Sequence, residues 1–211
     1  MMNKRPAAVR KQTASARSSR AKIDRRVERT TRALGGALMA LMLERNFDNI
    51  TVQHILERAG VGRSTFYAHF RNKNDVLLTD YERMLALMER SLDLDSAREL
   101  RVAPVEELFS HVREAHHLVD ALRSSGHLEL MWDVGVGHIA RMIERRIDLL
   151  SPGVNAGAMP VALASRLFAG ALFEMLKWWL DRDQGFSPEE MDRMFHDVVR
   201  NALRGSGRGR T

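Results

Sequence analysis

The chain has 211 residues, 45% of them hydrophobic and 28% charged, with a formal net charge of +6 and no cysteine. That length can bury one large or two small cores, and the missing thiols exclude a disulfide framework, a thiolate nucleophile and a thiolate metal site. No apolar run approaches the roughly 20 residues that span a bilayer, and the Arg-rich start lacks the apolar stretch of a secretory signal, so a soluble, cytoplasmic protein is expected.

The charge is unevenly spread. Residues 1–74 hold 16 Lys and Arg against 5 Asp and Glu, a net +11, whereas the remainder holds 17 against 22, a net −5. A basic N-terminal third of that strength suits a polyanion, because cationic side chains displace the condensed counterions of nucleic acid. Residues 1–22 are basic, Ser-containing and free of acids, a composition close to that of an organelle transit peptide but without large apolar residues for an amphipathic face. A flexible basic arm is expected there, and Arg20, Lys22, Arg25 and Arg26 are candidates to reach phosphate or a minor groove.

From about Asp24, Val27, Leu34, Leu38 and Leu41 recur at helical spacing and predict a first helix ending near Asn46. Thr51 is a candidate N-cap of a short second helix that buries Val52, Ile55, Leu56 and Ala59 and stops at Gly60. A turn through Val61 and Gly62 leads to a third helix over Arg63 to about Phe70. Phe66 and Phe70, spaced i, i+4, are expected to face inward, leaving Arg63, Ser64 and Thr65 as a polar front at the positive end of the helix dipole. Asn72 and Asp75 form a capping box for a long fourth helix with the apolar face Val76, Tyr81, Met84, Leu85, Met88 and Leu92. Two short helices about a Gly-containing turn predict a helix-turn-helix, the third being about 12 Å long, commensurate with a major groove about 12 Å wide.

The run "ITVQHILERAGVGRSTFYAHFRNKNDVL" resembles the DNA-binding signature of the tetracycline-repressor (TetR) family, T-V-x-x-I…A-G-V-x-x-x-T-[FL]-Y-x-H-F-x-x-K-x-x-[LV], without a gap. The resemblance implies a dimeric transcription regulator, usually a repressor, whose C-terminal domain binds a small molecule that loosens the grip on DNA. It places Gln53, Arg63, Ser64 and Thr65 at base edges, where Arg63 suits guanine and Gln53 adenine. It places Thr51, Tyr67, His69 and Lys73 at phosphate-contacting or backbone-positioning sites. Gly62 departs from the Ser common there and leaves the third helix a glycine N-cap.

Beyond Val76 the pattern stays helical. A helix with Pro104 in its first turn and Gly126 as its stop has the stripe Leu108, Val112, Ala115, Val119 and Leu122. The next is interrupted by Gly135 and Gly137, which bend it or permit close approach, and "SPGVNAGAMP" reads as a loop. "VALASRLFAGALFEMLKWWL" is apolar on most of its circumference and needs partners on more than one side. The last helix opens with a capping box from Ser187 to Glu190. In the family these last two helices pair with their mates in a four-helix bundle, which implies a dimer interface of Leu167, Phe168, Ala171, Met175, Met191, Phe195, Val198, Val199 and Ala202.

Phe109, His117, Trp132, Met142, Phe173 and Trp178 are candidates to line an effector cavity, against the plainer reading that they are core. His111, His116 and His117 have no i, i+4 pair, so no metal site is expected, and no cofactor is implied. No phosphate loop, nucleophile elbow or H-E-x-x-H motif points to an enzyme. The expected architecture is all-α: a helix-turn-helix domain over 23–74 and a helical ligand-binding and dimerisation domain over 75–205, flanked by the arm at 1–22 and a flexible tail at 206–211. The expected partners are an operator DNA, a second copy of the chain and an unidentified small molecule. A ligand-independent architectural DNA-binding protein of the nucleoid is the alternative.

Overall fold

The computed structural model describes residues 7–95, 101–150, 159–181 and 185–205. Among the described residues there is no β-strand. The helices are α1 (Ala7–Glu44), α2 (Val52–Ala59), α3 (Arg63–Tyr67), α4 (Lys73–Asp95), α5 (Val105–Glu114), α6 (His116–Ser124), α7 (Leu128–Leu150), α8 (Val161–Asp181) and α9 (Pro188–Gly205), with one 3-10 turn at Phe47–Asn49. The chain divides into two compact units, Met1–Asp80 and Tyr81–Thr211. The division falls after Asp80, farther along α4 than Asn74, where the charge changes sign. Residues 1–6 of the expected arm, most of the "SPGVNAGAMP" loop (151–158) and the expected tail at 206–211 lie outside the described residues.

In the first unit α1 starts well before Asp24, so the backbone of residues 7–22 is helical where a flexible arm is expected. Nothing there breaks a helix: residues 7–34 hold no Gly or Pro, and Ala and Arg, the commonest residues of the stretch, are strong helix formers. Leu34, Leu38 and Leu41 are buried as their spacing predicts, together with Phe47, Ile50, Ile55 and Leu56, and α1 packs on α2. Gly35 meets α4: a Cβ built on it would collide with the Asp80 carboxylate, so only glycine leaves α4 room to approach α1.

In the second unit the main pairings are α7 on α8 and α5 on α9. The single helix expected up to Gly126 is two, broken at Ala115, whose ψ of 22° leaves the helical region. The break lets α5 bury Leu108, Phe109 and Val112 while α6 turns to α7. Helix α7 is continuous through both its glycines, and they differ. A Cβ on Gly135 would strike the Phe173 ring of α8 and the Tyr81 hydroxyl, whereas one on Gly137 would meet only Arg141 Nη1 at 3.6 Å. Close approach, not a bend, is what Gly135 provides. The Ser187–Glu190 capping box of α9 is formed, with Ser187 N donating to Glu190 Oε2 at 2.7 Å and Glu190 N donating to Ser187 Oγ at 3.2 Å.

One polar cluster is folded into this second core. Arg101 donates to Glu107 Oε2 at 2.8 Å and to Asp192 Oδ1 at 2.9 Å, and Val102 N donates to Nε2 of the buried His196 at 3.1 Å. Accepting that bond places the His196 proton on Nδ1, which faces the Asp192 carbonyl at 2.9 Å and its carboxylate at 3.2 Å. Burial works against the charge on Asp192, but His196 and Arg101 outweigh it and hold the carboxyl below its usual range. The cluster ties the segment before α5 to α9 and pairs its half-buried charges, although Arg101 Nε is buried without a hydrogen-bond partner.

The two glycines of α7 give a direct test. Gly135→Ala is expected to cost about 1–3 kcal/mol through overpacking, while Gly137→Ala is expected to be neutral or to stabilise by about 0.5–1 kcal/mol through helix propensity. Urea denaturation of both variants checks this, and equal responses would contradict the close packing at Gly135.

Candidate nucleic-acid interface

Thr51 caps α2 as expected, its hydroxyl accepting from His54 N at 3.2 Å, while His54 Nδ1 accepts from Thr51 N at 3.2 Å. The second half of that box is a histidine, where the usual pattern has Glu or Gln. Helix α2 ends at Gly60, whose φ of 63° lies in the left-handed region that only glycine enters without strain. Gly62 is the N-cap of α3 in extended backbone, with no side-chain cap, so glycine is not required there by conformation.

Helix α3 is shorter than expected. It holds five residues, Arg63–Tyr67, about 7.5 Å at 1.5 Å per residue, and residues 68–70 continue as tight turns in which His69 N and Phe70 N both donate to Phe66 O at 2.9 Å. So short a helix has little macrodipole, and the phosphate-attracting role expected of its N-terminus weakens accordingly. Its orientation comes from burial instead: Phe66 is 0% exposed and Phe70 5% exposed, their rings 5.7 Å apart. With Phe66 beneath, Arg63 and Ser64 are exposed and Thr65 is half-buried.

Arg63 and Gln53, expected at base edges on different helices, are brought together. Arg63 Nη2 donates to Gln53 Oε1 at 3.2 Å, and Gln53 Nε2 donates to Glu57 Oε1 at 2.8 Å. Tyr67 is 53% exposed with its ring edge against Phe66 at 5.2 Å, and His69 is exposed beside Phe70.

Lys73 differs from the rest. Its ammonium donates to the carbonyls of Phe47 at 2.7 Å, Asp48 at 3.2 Å and Ile50 at 2.9 Å, and lies 4.5 Å from the centre of the Phe47 ring. An ammonium has three N–H donors, and all three are directed at backbone. Burial lowers its pKa from the ordinary lysine value, opposed by the nearby Asp48 carboxylate. The ammonium expected to meet the DNA backbone is thus engaged with the protein's own main chain. Beside it, Asn72 Oδ1 accepts from Asp75 N at 3.0 Å, the expected cap of α4, while Asp75 accepts from Arg71 N and from the Arg71 guanidinium. Those bonds hold the Asp75 carboxyl below its usual range.

The residues proposed from sequence for an effector do not converge. Phe109, Met142 and Phe173 are core, His117 is exposed, and Trp178 is 43% exposed and stacks near Phe186. Trp132, edge-on to Phe173 at 5.5 Å, is the one that lines an open groove of about 460 Å³, together with Arg123, Leu128, Glu129, Lys177 and Asp181. The dimer candidates also separate. Met191, Phe195 and Val199 are buried in the core of their own unit and Phe168 and Met175 are half-buried, whereas Leu167, Ala171, Val198 and Ala202 are exposed. Leu163 and Met194, outside the expected interface set, extend the exposed sets to Leu163, Leu167 and Ala171 on α8 and Met194, Val198 and Ala202 on α9, each at i, i+4 spacing. Burial alone distinguishes them, because α8 is apolar on nearly every side.

The first unit is thus a helix-turn-helix with a buried aromatic back and a polar front. Residues 36–79 match the family of bacterial regulatory proteins of the tetR type. An uncharacterized HTH-type transcriptional regulator, YxbF, of Bacillus subtilis (strain 168) is 37% identical over 71 residues, 33% of this chain and 19% of that protein. The chain therefore matches about a fifth of the length of that relative. The fatty acid metabolism regulator protein of the same organism is 24% identical over 164 residues, 71% of this chain and 83% of that protein. The crystal structure of RolR in complex with the ligand resorcinol has a similar fold, with a TM-score of 0.58 at 20% identity over 87% of this chain and 90% of that one. Among the described residues no helix is long and apolar enough to cross a membrane.

The Lys73 geometry predicts its mutant. Lys73→Met, which keeps the stem and removes the donors, is expected to destabilise the N-terminal unit by about 1.5–3 kcal/mol and to leave the salt dependence of DNA binding unchanged. Unchanged melting with a flatter salt slope would return Lys73 to phosphate.

Proposed function

We propose that this chain is a ligand-responsive, homodimeric transcriptional repressor that binds a pseudo-palindromic operator in the cytoplasm. The observation that carries the reading is the polar front of α3, with Arg63 hydrogen-bonded to Gln53 at the surface while Phe66 is wholly buried behind them. Arg63 would read guanine and Gln53 adenine in the major groove, with Ser64 and Thr65 less selective; Thr51, Tyr67 and His69 would meet the backbone, and Lys73 would hold the turn at residues 47–50. The basic charge of residues 1–74 would supply the sequence-independent part of the affinity.

The exposed stripes on α8 and α9 support a dimer, since apolar residues repeated at i, i+4 on two helices are surface that a second copy would cover. A two-fold dimer presents two reading heads about 34 Å apart to a pseudo-palindrome. The groove beside Trp132 supports a small-molecule effector, as do the names of the fatty acid regulator and of the resorcinol complex among the similar proteins. An effector would shift α4, which contributes residues to both units, with a coupling of about 1–3 kcal/mol, or 5- to 150-fold in DNA affinity.

Selection of bound DNA from a randomised pool tests the reading. Enrichment of one pseudo-palindrome is expected, and Arg63→Ala should cost about 1–3 kcal/mol and relax one base position per half-site. Coating of many unrelated sequences would instead indicate an architectural protein. The dimer is tested separately by the pair Leu167→Glu and Val198→Glu. Light scattering is expected to report a monomer, and affinity for the full site should fall by about 100-fold as the avidity of two heads is lost.

A further inference from the structure

The Gln53 amide sits between a cation and an anion. Its oxygen accepts from Arg63 Nη2 at 3.2 Å and its nitrogen donates to Glu57 Oε1 at 2.8 Å. A flipped amide would set oxygen against the Glu57 carboxylate and N–H against the guanidinium, replacing two hydrogen bonds with two repulsive contacts. Glu57 lies one turn along α2 from Gln53, on the exposed side of the helix. It is also one of only five acids among the first 74 residues, so its charge opposes phosphate on a surface that otherwise attracts it.

We infer that Glu57 is a specificity-determining positioning residue: it sets the sense of the Gln53 amide, and through it the direction of Arg63, without itself touching a base. The inference rests on the DNA-reading role proposed for α2 and α3. An amide has two N–H donors and two carbonyl lone pairs, and a guanidinium has five N–H donors. With one donor given to Glu57 and one lone pair to Arg63, Gln53 keeps one of each, the pair that adenine N7 and N6 require. Arg63 keeps four N–H groups for guanine O6 and N7. Glu57 therefore acts in two opposite directions, weakening attraction to any DNA through its charge and sharpening the preference for one sequence through its hydrogen bond.

That opposition separates the inference from a merely structural role. Full-length wild type, Glu57→Ala, Glu57→Gln, Gln53→Ala and the double variant Gln53→Ala/Glu57→Ala are each used to select DNA from a randomised pool, with melting curves as folding controls. Glu57→Ala is expected to melt like the wild type, to lose about five- to tenfold of the base preference at the Gln53 position and to bind random-sequence DNA about twofold more tightly. Glu57→Gln should keep the wild-type preference, because its carbonyl accepts the same hydrogen bond, while sharing the tighter random-sequence binding. In the Gln53→Ala background, Glu57→Ala should change the base preference no further. An enriched wild-type site with the same preferences in Glu57→Ala would overturn the inference while leaving the DNA-reading role intact. Equal loss of preference in Glu57→Gln and Glu57→Ala would overturn it too, by assigning the effect to charge. If wild type enriches no site, the DNA-reading role and the inference fall together.

Discussion

The Lys73 ammonium is the interaction on which the placement of the two short helices depends. It donates to three carbonyls in the turn between α1 and α2 from the first residue of α4, so the entry to the two short helices and their exit are held by one charge. Neither α2, with eight residues, nor α3, with five, is long enough to be stable alone. Their placement comes from outside them: Lys73 at the ends, Phe66 and Phe70 beneath, and Gly60 setting the angle between them with a left-handed backbone. A polar front can then be exposed without being loose, since the residues that present it are not the residues that hold it.

The second unit solves a different problem. Its helices are joined through a mostly apolar core, in which Arg146, Ser165 and His196 are buried polar residues, and the Arg101, Asp192 and His196 cluster fixes how the segment before α5 meets α9. Arg101 and Asp192 are paired, so these half-buried charges cost less than they would singly. The same unit leaves apolar side chains outside, at Leu163, Leu167 and Val198.

Much of this was legible from residue spacing. The helical class, the caps at Thr51 and Ser187, the stop at Gly60 and the inward faces of Phe66 and Phe70 all follow from local rules, because a helix start, a helix stop and an i, i+4 pair are decided within a few residues. Less visible were features in which two distant residues compete for one atom or one volume. The break at Ala115 reflects two partners for one apolar stripe. The roles of Gly35 and Gly135 depend on what stands opposite, an Asp80 carboxylate in one case and a Phe173 ring in the other. The Gln53 to Glu57 spacing was available in the sequence, but its meaning needed Arg63 beside it.

By itself, then, the sequence determined the helical class, which faces are apolar and where a polar cluster follows a glycine turn, though not the full extent of α1 and α3 or the break at Ala115, since class and faces depend on chain-local propensity and periodicity. Only the tertiary structure decided that Lys73 serves the backbone, that Met191, Phe195 and Val199 belong to the inner core while Leu163 and Met194 do not, and that Arg63, Gln53 and Glu57 form one connected group. Those outcomes turn on which donor reaches which acceptor and which side of an all-apolar helix finds a neighbour, and both are settled only when segments far apart in the chain are packed together.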